Sequence, residues 1–294
     1  MATLKTIRKR IGSVKNTQKI TKAMKMVSAA KLRRAQTRLI NARPYSNKMQ
    51  EILSNLFYLM PEEEKNKHPL LQNRNEIKTA EFLIITSDRG LCGGFNGNLL
   101  RRIDSVLKEK SLVVPEVKIT VSGRRGRDYF RARKKEPDQF ITGMPEDVPF
   151  EKTLEMANDL IKGYIEGRFD EFYLVYNYFR SAISQEIRIE RILPFELQPS
   201  ALEGSNTYLP THIYEPTRTE VLNDLIPRAL AMMIRRAFLE SIAGEYGARM
   251  VAMDNATSNS SDMIYDLTLQ MNRLRQAVIT TELMDIVNGA EALK

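Results

Sequence analysis

The sequence has one cysteine, Cys92, and no tryptophan. A single cysteine excludes a disulfide framework and any metal site built on clustered thiolates, and it fits a reducing compartment. Histidine is nearly as scarce, and His68 and His212 lie too far apart in sequence to form a paired-histidine metal motif. No run of about 18 uncharged apolar residues occurs, so no segment reads as a membrane span. The opening MATLKTIRKRIG lacks the apolar stretch of a secretory signal. Acid is missing from the first fifty residues, which hold 14 Lys or Arg before the first carboxylate, Glu51. The net charge of +9 therefore comes from one end of the 294-residue chain, and the remainder carries a balance of −5. What is present is enough for a real core, with 43% hydrophobic and 28% charged residues, in one large domain or two small ones.

Three textures follow one another. Residues 1–60 predict a long helix, since Ala, Lys, Arg, Met, Gln and Leu dominate and no glycine follows Gly12. Leu4, Ile7, Ile11, Val14, Gln18 and Thr21 step by three and four, the seam of a left-handed coiled coil. Beyond Thr21 the apolar positions Ile20, Met24, Val27, Leu32 and Leu39 keep the spacing less strictly, and Pro44 should kink or interrupt the helix. Residues 61–79 are polar and proline-bearing and read as a linker. Residues 80–214 change to short runs rich in β-branched and aromatic residues, at 81–87, 117–122 and 171–180, with helical patterns near 101–110 and 150–167 between them. That alternation predicts an α/β domain with a largely parallel sheet, and the polar–apolar alternation at 186–192 suits an edge strand. From 215 to 294 the helical pattern returns. Met253, Thr257, Ser260, Ile264, Leu267, Met271, Leu274 and Val278 keep a heptad, although Pro227 and the polar stretch 254–262 argue against one unbroken rod. Two terminal helices flanking one insert can pair antiparallel and hide seams that neither buries alone.

Candidate chemistry is thin. The loop Asp88–Asn96, DRGLCGGFN, places glycines between a strand and a helix, where N–H groups can meet an anion, yet it matches neither GxGxxG nor GxxxxGK[ST]. A tight turn is the simpler reading. Ser122–Arg127, SGRRGR, reads as a basic surface turn, and Cys92 has no histidine near it in sequence. No catalytic residue, cofactor site or metal site emerges. The basic helix itself admits three partners: nucleic acid, a membrane surface, or a protein with an acidic ring-like lining. Residues 1–44 have no aromatic side chain to stack a base, and the apolar stripe is narrow for lipid.

Four stretches then carry a resemblance. IRKRIGSVKNTQKITKAMKMVSAAKLRRAQ at 7–36, DRGLCGGFN at 88–96, ARMVAMDNAT at 248–257 and RQAVITTELMDIVNGAEA at 275–292 closely resemble the γ subunits of F-type ATP synthases. In the last, Ile279, Thr280, Glu282, Asp285, Gly289, Ala290 and Ala292 agree with that family's C-terminal signature. The resemblance implies long N- and C-terminal helices in an antiparallel left-handed coiled coil, with a Rossmann-like α/β insert. It resolves the rod question in favour of one long C-terminal helix. It implies a non-catalytic rotor shaft turning inside a ring of α and β subunits, coupling proton flow to ATP synthesis or hydrolysis. The insert would meet the ε subunit and the membrane c-ring, with no cofactor, no metal, no nucleic acid and no direct membrane insertion. Met24, Lys25, Met26, Arg249, Arg275, Gln276, Thr280 and Glu282 match positions that meet β subunits in the family. Val278, Ile279, Leu283, Ile286 and Val287 match its apolar bearing tip. With the family pattern starting early in the sequence, the resemblance leads one to expect a place on the cytoplasmic face of a bacterial inner membrane. A basic coiled-coil nucleic-acid-binding protein is the alternative.

Overall fold

A computed structural model describes residues 3–58, 68–71, 74, 76–142, 144–195, 215 and 217–291. Most of the expected linker, the stretch 196–214 with His212, and Ala292 lie outside the described residues. Two compact units result, one from residues 1–29 with 249–294 and the other from residues 30–248.

Helix α1 spans Leu4–Tyr58 without a break. Pro44 does not interrupt it, contrary to expectation; its ring occupies an exposed position, and a missing N–H there is one lost bond in a 55-residue helix. The heptad also continues where the apolar pattern faded. Thr21, Ser28, Leu32, Ala35 and Leu39 are all buried, whereas Ile20 and Val27 are 60% and 57% exposed. Small residues carry the seam there, so hydrophobicity alone pointed to the wrong face.

The α/β core begins with β1 (Thr79–Ile85), α2 (Phe95–Lys110) and β2 (Glu116–Ser122). It continues through α3 (Arg124–Ala132), β3 (Gln139–Ile141), α4 (Phe150–Ile165), β4 (Glu171–Phe179) and β5 (Gln185–Leu193). The sheet order is β3-β2-β1-β4-β5, with the first four strands parallel and β5 antiparallel on β4 at the edge, as its alternation predicts. β1 and β4 are buried on both faces, which accounts for their continuous apolar runs. On one face Phe82, Ile84 and Val121 pack with Leu99, Ile103 and Leu107 of α2 and Phe130 of α3. Two elements were not anticipated: β3 is only three residues long, and α3 grows directly out of the expected basic turn. Helix α2 also starts earlier than its pattern, at Phe95.

Helix α5 runs unbroken over Arg218–Glu291, through Pro227 and through the polar stretch 254–262. Its 74 residues correspond to about 110 Å of helix. Residues 222–248 are buried nearly all round, including Leu222, Ile226, Leu230, Ile234, Phe238 and Leu239. Buried Glu240 accepts the N–H of Phe179 at 3.0 Å, tying α5 to the end of β4.

Candidate functional site

In the unit made by residues 1–29 and 249–294 the two helices pair antiparallel, and side chains fix their register. Gln18 donates to Ser261 at 2.7 Å, Thr257 donates to Thr21 at 2.8 Å, and the Lys25 ammonium meets Asp254 at 2.6 Å. Toward the chain ends the seam turns apolar: Ile7, Ile11 and Leu267 are buried, with Val14, Ile264, Met271 and Leu274 packed against them. Continuing the register sets Leu4, the first helical residue, opposite Leu274. From Arg275 onward α5 has run past α1.

That geometry decides what the expected contact residues present. Val278, Ile279, Leu283, Ile286 and Val287 are 41 to 73% exposed, and Met284 joins them at 51%. Val278 keeps the heptad position but has no facing helix among the described residues. A band of five or more apolar side chains on one bare helical turn after another is an uncovered contact surface. Arg275, Gln276, Thr280 and Glu282 lie exposed on the same stretch, and the Thr280 hydroxyl bonds back to the Gln276 carbonyl at 2.9 Å. Met24, Lys25 and Met26 sit beside the polar layers. Met26 is 60% exposed, Met24 is half-buried, and Lys25 is already engaged by Asp254. Arg249 differs from the others: it is only 7% exposed and offers little area to a partner.

The unit of residues 30–248 shows what became of the glycine loops. In DRGLCGGFN the Asn96 amide closes the turn on itself, accepting the Ser87 N–H at 3.0 Å and donating to the Ser87 hydroxyl at 2.7 Å and the Cys92 sulfur at 3.2 Å. Cys92 is buried beneath it. At the start of α3 the N–H groups that would greet a phosphate are taken: Arg124 by the Asp88 carboxylate at 2.9 Å, Arg125 by the Ser87 carbonyl at 3.1 Å, Gly126 by the Thr86 hydroxyl at 3.0 Å. The space left between the ends of β1 and β2 and the α5 residues Phe238, Ser241, Ile242 and Glu245 is a cavity of about 70 Å³. That volume holds a few waters and no nucleotide.

Paired ionisable groups elsewhere in this unit, some buried and some at the surface, brace the fold. Burial pushes the Asp170 carboxyl up, but the N–H groups of Thr79 and Lys78 and the Arg74 guanidinium more than reverse it, holding it below the usual range. Glu171 behaves likewise, with Lys110 at 2.6 Å and Arg191 at 3.2 Å outweighing its burial. Glu146, held by Lys31 at 2.6 Å and by the Tyr246 hydroxyl, is also lowered despite the opposing effect of burial. Burial lifts the Tyr176 phenol to about 12, with Arg236 opposing and Glu190 assisting. None of these groups converges on an open cleft, and among the described residues no cluster of His, Cys, Asp and Glu could hold a metal ion. No helix among the described residues is long and apolar enough to cross a membrane.

A family model described as ATP synthase matches residues 3–293. The chain is 48% identical to the ATP synthase gamma chain of an Anaeromyxobacter species and 45% identical to that of Geobacter metallireducens, in both cases over 100% of both chains. Among solved structures it resembles a chain of the Tetrahymena thermophila mitochondrial ATP synthase central stalk and c-ring, at 25% identity and TM-score 0.59, covering 81% of this chain and 99% of that one. A chain of the Euglena gracilis mitochondrial ATP synthase shares the fold at TM-score 0.68 and 20% identity, covering 99% of this chain and 94% of that one. Nothing in these relatives supports the nucleic-acid alternative.

Proposed function

The chain belongs to the ATP synthase gamma-chain family, and from that premise we propose how its parts serve a rotor. A gamma chain is the non-catalytic central shaft of the synthase. In our reading the paired helices stand inside a ring of α and β subunits, and the apolar band at Val278, Ile279, Leu283, Ile286 and Val287 turns within a hydrophobic sleeve of that ring. Arg275, Gln276, Thr280 and Glu282, with Met24 and Met26 lower down, meet loops of the β subunits. Lys25 and Arg249 contribute from within the hairpin, Lys25 through an exposed pair that a partner carboxylate can exchange for Asp254. The α/β unit meets ε and the c-ring, and the complex sits on the cytoplasmic face of a bacterial inner membrane.

The observation that carries this reading is the run of α5 beyond its partner: an uninterrupted helix whose last turns expose an apolar band that none of the described residues covers. Such a surface in a stable protein marks a contact with another molecule. Reconstitution of α and β subunits with and without this chain tests it. ATPase activity should depend on the chain, and truncation after Leu274 should reduce coupling while leaving the α/β unit folded. Activity indifferent to the chain would contradict the reading.

A further inference from the structure

Helix α3 and the turn after it, residues 124–135, carry seven Arg or Lys and a single acid, Asp128. Elsewhere in the same unit several cations are matched within the chain, among them Lys110 and Arg191 on Glu171, Arg180 on Glu186 at 2.7 Å, and Arg236 on Glu190 at 3.3 Å. Among the described residues α3 forms two pairs, Arg131 with Glu136 at 2.8 Å and Arg127 with its neighbour Asp128 at 3.7 Å. Arg124, Arg133, Lys134 and Lys135 are exposed, and among the described residues their side-chain nitrogens have no carboxylate within ion-pair distance, Asp88 meeting only the backbone N–H of Arg124. Position adds to the asymmetry. α3 joins β2 to β3, a three-residue strand at the margin of the sheet, and its outer face is open. The Arg133 guanidinium lies 3.5 Å over the Tyr129 ring, which orders it before any partner arrives.

We propose that this face docks an acidic protein surface, a cluster of Asp or Glu side chains on a neighbouring subunit of the assembly. The chemistry favours protein over the other anionic partners. The exposed face has no large apolar side chain to enter a bilayer. Phe130 is fully buried and Tyr129 lies under Arg133, so no ring is left to stack a base. Arginine forks match carboxylates in two-point geometry, and several cations held on one rigid helix steer and orient an acidic partner. The proposal rests on the reading of this chain as one subunit of a larger complex.

Zero-length carbodiimide cross-linking of the intact synthase tests it, because that reagent joins a lysine only to a carboxylate already in ion-pair contact. Lys134 or Lys135 should become linked to an Asp or Glu of one other subunit, and both should be acylated about tenfold more slowly in the complex than in the isolated chain. The variant R124Q/R133Q/K134Q/K135Q should keep its far-UV circular dichroism and lose that subunit at about tenfold weaker affinity. Equal acylation in complex and free chain, with no cross-link, overturns the proposal. Protection that exists in native membranes and vanishes in the detergent-purified complex identifies lipid instead and also overturns it. A cross-link found alongside ATPase activity indifferent to the chain would leave the docking face standing and remove the rotor reading.

Discussion

Asp88 does at the mouth of the sheet what a bound phosphate does in nucleotide-binding α/β proteins, accepting an N–H at the start of a helix. The turn works only because Gly123 sits at φ +95 with Thr86 against it; a Cβ there would lie 2.2 Å from the Thr86 carbonyl oxygen. Gly123→Ala should therefore destabilise the α/β unit by about 3 kcal/mol or more, read from its denaturant midpoint. His68 makes a second residue-scale test. Its Nδ1 accepts the Leu70 N–H at 3.3 Å, which leaves Nε2 to donate to the Asn223 side-chain oxygen at 3.0 Å. Burial lowers its pKa, with the Asn223 bond partly opposing. The unfolded chain therefore takes up the proton first as pH falls, so this contribution is present above about pH 6.5 and is lost below it. Between pH 7.5 and 5.5 the urea midpoint should drop in the natural chain and drop less in His68→Gln. An equal drop in both would show that His68 is not the titrating group.

At the scale of elements, the hairpin seam divides into apolar layers near Ile7 and Ile11 and polar layers at Gln18, Thr21 and Lys25. Polar layers fix register more than they add stability. Ile11→Ala should cost about 2–4 kcal/mol of local stability, seen as lost amide-exchange protection over residues 4–14 and 264–274. The double change T21V/T257V removes both partners of one hydrogen bond and should leave protection equal or higher. If T21V/T257V loosened the hairpin more than Ile11→Ala, this division of labour would be wrong. The same seam shows what a sequence can display. β1, β2, β4 and the antiparallel edge strand were legible because β-branched and aromatic residues concentrate in them. α3 was not, since RRGRDYFRA mixes a glycine with charges on nearly every face, and β3 is too short to show a period. The seam beyond Thr21 was hidden because Ser28 and Ala35 are buried through size, while Ile20 and Val27 are apolar and exposed. The apolar tip was legible only through resemblance; by spacing, Val278 looks like one more core position until α1 is seen to stop opposite Leu274.

For the molecule as a whole, the question is how force passes through a chain that performs no chemistry. If about three charges cross about 150 mV per ATP, on the order of 10 kcal/mol must be transmitted in each third of a turn. The Lys25–Asp254 pair, exposed on both sides, contributes about 0–1 kcal/mol. No single contact bears that load, so it has to be spread along the paired helices and the uncovered apolar band beyond them, biasing catalytic neighbours between discrete states. Neutralising Lys25 alone should accordingly leave coupling nearly intact. The buried state of Cys92 supplies the handle for the direct test, because a cysteine introduced at Ile183, 83% exposed in the β4–β5 turn, becomes the one accessible thiol. With I183C chains assembled into immobilised α and β rings and a bead attached through that thiol, ATP should drive rotation in one direction with three pauses per turn. Hydrolysis that continues at full rate while the bead stays still would contradict the account.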